Sequence, residues 1–181
     1  MNECLENVKR LSLSVMLFLG LGGCMGVPEG TSPVQGFEID NYLGTLYEIA
    51  RLDHSFERGL SHVTAEYSLR DDGGVRVINR GFKTASNQWD EAEGKAYFVD
   101  NKSEGKLKVS FFGPFYGAYN VIALDRKSYQ WSLVAGPDTS YLWILSRKPV
   151  LEKDIVDELL TKAKAYGFNT EDLIFVSHVQ K

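Results

Sequence analysis

GTLYEIARLDHSFERG, residues 44–59, decides how the rest of this chain reads. Its first half, Gly44 to Leu52, is aromatic and aliphatic, with no proline and with glycine only at its start. That is the composition of a strand. Its second half, Asp53 to Gly59, is a polar loop carrying large side chains such as Phe56 and Arg58. A strand that feeds a long, partly apolar loop suggests a barrel with a lid over its mouth.

Further strands follow at short intervals. His62 to Arg70 alternates, with Val63, Ala65, Tyr67 and Leu69 on one face and Thr64, Glu66, Ser68 and Arg70 on the other. Asp71-Asp72-Gly73-Gly74 signals a hairpin, because glycine supplies the positive φ of a tight turn. Val75–Lys83, Gln88–Val99, Lys106–Phe111, Tyr119–Leu124, Tyr129–Ala135 and Tyr141–Arg147 complete a set of eight. A sandwich would satisfy the count but commonly uses longer crossovers. A meander with short turns buries its edges most economically as an eight-stranded antiparallel up-and-down β-barrel, which makes the fold all-β.

The period then changes. Between Leu151 and Tyr166, Ile155, Leu159, Ala163 and Tyr166 fall on one helical face with Leu160 beside them. Acidic residues lead and lysines follow, as the helix dipole prefers, and Gly167 stands where a helix commonly ends. Leu173 to Val176 reads as a short final strand, and Ile39 to Leu43 as a single helical turn before the first strand.

The chain has 181 residues, enough for one domain. Hydrophobic residues make up 44%, which supports a core, and the net charge of -4 argues against a nucleic-acid partner. The two cysteines, Cys4 and Cys24, both lie near the N-terminus, so the folded body holds no internal disulfide.

Residues 1–23 read as a targeting segment rather than structure. Lys9-Arg10 precedes the apolar run Leu11 to Gly23, which is shorter than the roughly 17–25 residues of a membrane span. Leu21-Gly22-Gly23-Cys24 resembles the bacterial lipobox, in which the cysteine is lipidated and becomes the first mature residue. Stable anchoring takes more than one acyl chain. Met25 follows the cysteine rather than the aspartate of inner-membrane retention, so the resemblance implies an outer-membrane anchor facing the periplasm. Residues 24–36, rich in Gly, Pro, Ser and Thr, read as the lipidated N-terminus and a linker.

Eight strands, an amphipathic helix packed outside and a short last strand resemble the lipocalin order over roughly residues 36 to 178. Gly44 to Arg51 is similar to that family's first motif, with Leu46 where the family has tryptophan. Tyr119-Asn120-Val121-Ile122-Ala123-Leu124-Asp125 sits where the second motif lies. Trp143-Ile144-Leu145-Ser146-Arg147 is similar to the third, whose arginine crosses the barrel base. With the lipobox, the chain resembles a bacterial outer-membrane lipoprotein lipocalin with its domain at residues 37–181. Restoring tryptophan at Leu46 is expected to be neutral or stabilising, because the arginine would regain a cation–π contact.

The resemblance also fixes which faces point inward. The family's tryptophan position faces the cavity, which implies Leu46, Glu48, Ala50 and Leu52 inward; the base arginine implies Tyr141, Trp143 and Leu145. Alternation adds Val63, Ala65, Tyr67 and Leu69, then Val77 and Asn79, Ala96 and Phe98, Val109 and Phe111, Tyr119 and Val121, Ser132 and Val134. Phe56 and Arg58 are expected over the mouth, where Arg58 would meet an anionic headgroup. The expected ligand-binding set is therefore Ala50, Phe56, Arg58, Ala65, Tyr67, Val77, Asn79, Phe98, Val109, Phe111, Tyr119, Val121, Tyr141 and Trp143. These side chains either wall a ligand cavity or simply fill the barrel.

Three functions are open at this point. The resemblance implies a carrier of a fatty acid or lysophospholipid, joined to the outer membrane through Cys24. A lipid-modifying enzyme is the second, but the sequence has no G-x-S-x-G elbow and no inward carboxylate pair beyond Glu48, so no catalytic residues are assigned. The third is a structural lipoprotein with a filled barrel, using Phe112, Phe115 and Tyr116 as an envelope-partner surface or a homodimer contact. No cofactor is expected, nor a metal, since the spacing of His54 and His62 matches no standard zinc motif.

Overall fold

The computed structural model of the protein describes residues 25–178. The expected signal peptide with Cys4, the lipidation residue Cys24, and residues 179–181 lie outside the described residues.

Eight strands follow one another: β1 (Gly44–Arg51), β2 (Leu60–Leu69), β3 (Val75–Lys83), β4 (Gln88–Phe98), β5 (Lys106–Ser110), β6 (Gly117–Leu124), β7 (Trp131–Ala135) and β8 (Leu142–Ser146). Each pairs antiparallel with its successor. β1 pairs with both β8 and β2, which closes the barrel and leaves no long edge exposed. The odd-to-even loops, β1–β2, β3–β4, β5–β6 and β7–β8, share one end, the mouth; the other connections share the base. β9 (Ile174–Phe175) pairs with Ala50 and Arg51, where β1 has parted from β2. The amide of Val176 donates to Ile49 O and that of His62 to Ser177 O, so the C-terminal segment seals this gap.

A one-turn helix, α1 (Ile39–Tyr42), precedes the barrel and α2 (Lys153–Ala165) follows it. Leu159 and Ala163 of α2 are buried against the outer faces of β1, β7 and β8, among Ile49, Leu133, Leu142 and Ile144. Asp154 stands in the first turn and Lys162 and Lys164 in the last, matching the helix dipole. Gly167, at φ 85°, ends the helix in the left-handed region that glycine adopts without strain.

The segment Gly26 to Gly36, expected as a linker, lies along the barrel. Val34 is buried, its amide donates to Val121 O, and its carbonyl accepts from Gly105 N. Phe37 then plugs the base, its ring 5.2 Å from Tyr42, 6.2 Å from Phe98 and 6.3 Å from Tyr129. Arg147 crosses the base and donates to Thr45 O and Asn41 O, both at 3.0 Å. Leu46, 1% exposed, fills the interior above it with Tyr42 and Tyr67.

Candidate functional site

Strand parity and the plugged base leave a cavity of about 700 Å³ between Tyr42 near the base and the four mouth loops. That volume lies within the range of small-molecule sites. Ala65, Tyr67, Val77, Asn79, Val109, Phe111, Tyr119, Tyr141 and Trp143 line it, as do Val63, Ala96 and Leu145. Phe56 lines its mouth from the β1–β2 loop and is largely exposed.

Four residues of the expected ligand-binding set lie elsewhere. Ala50 is buried under α2, outside the barrel, and Leu52 accompanies it. The cause is a register shift between Glu48 and Ala50, after which β1 presents the opposite face. Residues paired across strands share a face, so Glu48 opposite Leu145 and Arg51 opposite Trp143 point inward, while Ala50 opposite Ile144 points out. Phe98 and Val121 belong to the inner cluster but lie off the cavity wall: Phe98 packs edge-on against the Phe37 plug, and Val121 hydrogen-bonds to the Val34 and Gly105 backbone. Arg58 is exposed, and its guanidinium pairs with Asp53 at 2.6 Å rather than reaching the cavity. Leu69, also expected inward, is exposed at the base end of β2.

The bulge brings in a residue that simple alternation misses. Arg51, 1% exposed, places Nη1 2.6 Å from Glu48 Oε1 and donates from Nη2 to the backbone oxygens of Glu57 and Leu60. Glu57, on the lid, is buried as well and accepts from Trp143 Nε1 at 2.9 Å. Glu48 and Glu57 both line the cavity, so the interior does hold a carboxyl pair. Burial pushes Glu48 up to about 8, with the Glu57 charge adding and Arg51 opposing. Glu57 is raised by burial too, against the Trp143 hydrogen bond and Arg51. One guanidinium serves two carboxyls, so the pair as a unit retains a proton at neutral pH. The sequence signal was present: the consecutive apolar residues Ile49 and Ala50 break the alternation of β1.

This cluster also latches the lid. His54 stacks between barrel and loop, its ring 4.5 Å from Tyr141 at 13° and 5.3 Å from Phe56 at 9°. Burial lowers the His54 pKa, which keeps the imidazole neutral for this stacking. No group of three metal-ligating side chains occurs among the described residues.

At the other end, hydroxyls close the floor. Tyr42 Oη lies 2.8 Å from Tyr119 Oη and 2.9 Å from Ser132 Oγ, and Tyr67 Oη lies 2.9 Å from Tyr119 Oη. Burial raises all three phenols, so they stay protonated and partner one another. Between floor and mouth, Asn79 Oδ1 and Ser110 Oγ line the cavity without a protein partner. They are the wall's spare hydrogen-bonding atoms.

A family model described as a lipocalin-like domain matches residues 37–178. The chain is 58% identical over 156 residues to "Outer membrane lipoprotein Blc" of Vibrio cholerae, covering 86% of this chain and 91% of that protein. It is 55% identical over 149 residues to the protein of the same name from Escherichia coli K12, covering 82% and 84%. Temperature-induced lipocalin-1 of Arabidopsis thaliana is 35% identical, covering 77% and 78%. Among solved structures, insecticyanin of the tobacco hornworm Manduca sexta superposes with a TM-score of 0.69 at 24% identity, over 86% of this chain and 88% of that one, a likeness of fold. On these matches and the closed barrel they share, the chain belongs to the lipocalin-like family.

Proposed function

We propose that the protein is a bacterial outer-membrane lipoprotein, anchored through Cys24, that holds one fatty acid or lysophospholipid in its barrel for storage or transport in the envelope. The observation that carries this reading is the apolar-walled cavity of about 700 Å³ open to the mouth loops. Each methylene buried there contributes about 0.8 kcal/mol, so a dozen contribute roughly 10 kcal/mol before ordering costs. The tyrosine floor limits how deep the chain runs, and Asn79 and Ser110 offer hydrogen bonds along the way. The names of the Vibrio and Escherichia relatives support the location.

The carboxyl pair is the one feature that favours a catalytic reading, but both members are already engaged, Glu48 by Arg51 and Glu57 by Trp143. A structural role in latching the lid accounts for them. Titration of a lysophospholipid into the delipidated protein, followed by Trp143 emission, tests the carrier reading. Saturable change at one lipid per chain supports it; no response below about millimolar lipid contradicts it.

A further inference from the structure

The floor of the cavity carries more hydrogen-bonding capacity than it uses. Ser132, Tyr42, Tyr119 and Tyr67 form a line of four hydroxyls joined by three hydrogen bonds, and these hydroxyls make no others among the described residues. Each hydroxyl carries one proton, so three bonds take three protons and one is left to donate elsewhere. Ser132 is wholly buried and off the cavity, whereas the three phenols line it. The spare proton is therefore best placed on a phenol, where a group inside the barrel can accept it.

An acceptor without a donor lies one layer above. Tyr67 stands opposite Val77, and Asn79, two residues along β3 toward the mouth, stands opposite Ala65. Such diagonal neighbours are about 7–8 Å apart, which leaves one small group within reach of both side chains. Asn79 lines the cavity, and its Oδ1 has no protein partner. The wall around them is apolar, with Ala65, Val77, Val109 and Phe111. A donor and an acceptor thus flank one small volume deep in an otherwise apolar barrel.

A hydrocarbon end reaching this floor leaves both groups unpaired, which a buried site penalises. A hydroxyl satisfies both, because it accepts from the phenol and donates to Asn79. A carboxylate satisfies only one. It has no proton for Asn79, and the base cation, Arg147, is off the cavity wall and already donates to Thr45 O and Asn41 O.

We propose that the cavity selects lipids whose buried chain end carries a hydroxyl, held between Tyr67 and Asn79. The proposal rests on the barrel being a lipid carrier and names the class of chain it prefers.

The test compares dodecanoic, tetradecanoic and hexadecanoic acids, each with its ω-hydroxy counterpart, by calorimetric titration into the full chain stripped of bound lipid. At the length that reaches the floor, the hydroxy acid is expected to bind about 5–10-fold tighter than the plain acid. Asn79→Leu, close in shape, should erase that gain while the plain acid binds as well as before or better. Tyr67→Phe should reduce the gain, because it removes the phenol beside Asn79. In wild type, a hydroxy acid that binds no tighter at any length gives the spare groups to ordered water; it overturns the proposal and leaves the carrier reading intact. A gain that survives both substitutions places the hydroxyl elsewhere and also overturns it. So does an equal loss of both acids in variants that keep their melting temperature, which gives the floor to the carboxyl head. No binding by either series overturns the carrier reading and the proposal together.

Discussion

Arg51 Nη1 lies 2.6 Å from Glu48 Oε1 inside the barrel, and both side chains are almost wholly buried. The pair exists because β1 slips register by one residue and turns Arg51 inward. The same guanidinium holds the Glu57 and Leu60 carbonyls, which ties the lid to the wall.

Removing the cation should therefore cost far more than a surface ion pair. Arg51→Met leaves the one charge the buried carboxyl pair still carries without its partner, and the Glu57 and Leu60 carbonyls without their donor, and the expected loss is about 3–5 kcal/mol. Urea unfolding measures it.

The carboxyl pair makes stability depend on pH. Glu48 is raised in the folded state from 4.5 to about 8, so the folded protein holds a proton that the unfolded chain releases. Its contribution is fully present below pH 4.5 and is lost as pH rises toward 8. The stability of wild type minus that of Glu48→Gln should fall across this window. Urea midpoints at pH 5, 6.5 and 8 for both proteins check it; a difference that rises with pH would contradict the assignment.

Lid closure rests on the His54 stack. His54→Ala removes ring contacts to Tyr141 and Phe56, each worth about 0.5–1.5 kcal/mol. Bound lipid should dissociate about 3–10-fold faster, as stopped-flow transfer to acceptor vesicles would record. Protonation acts in the same direction: the His54 pKa is lowered in the fold, so closure is lost as pH falls below the free imidazole value of about 6.5.

Leu46→Trp tests the base. Leu46 is 1% exposed, and Arg147 already donates to Thr45 O and Asn41 O. A tryptophan would have to displace Tyr42 or Tyr67 from the inner cluster, so we expect a loss of about 1–3 kcal/mol rather than the neutral or stabilising effect its family motif suggests. Thermal unfolding decides between the two.

The barrel was legible in the sequence because its signals are local: alternation in β2, the Asp72-Gly73 turn, and the change of period at α2. Most of the cavity wall followed from parity. Parity failed where its premise failed, at Ile49-Ala50, and the error carried Ala50 and Leu52 inward and hid Arg51. Glu57 and the His54 stack depend on how a loop folds back over the barrel, which no period encodes. Phe98 and Val121 have inward parity, but their depth depends on Phe37, a plug from a segment that reads as linker.

The central claim is that one lipid chain occupies the barrel. Native mass spectrometry of the Cys24→Ser protein after exposure to lysophospholipid and fatty acid, with and without Ala65→Trp, addresses it most directly. Ala65 lines the cavity, and the larger ring fills it. The account predicts a one-to-one lipid adduct in the parent protein that Ala65→Trp abolishes while the barrel stays folded. No adduct in the parent, or an adduct that Ala65→Trp leaves untouched, would contradict it.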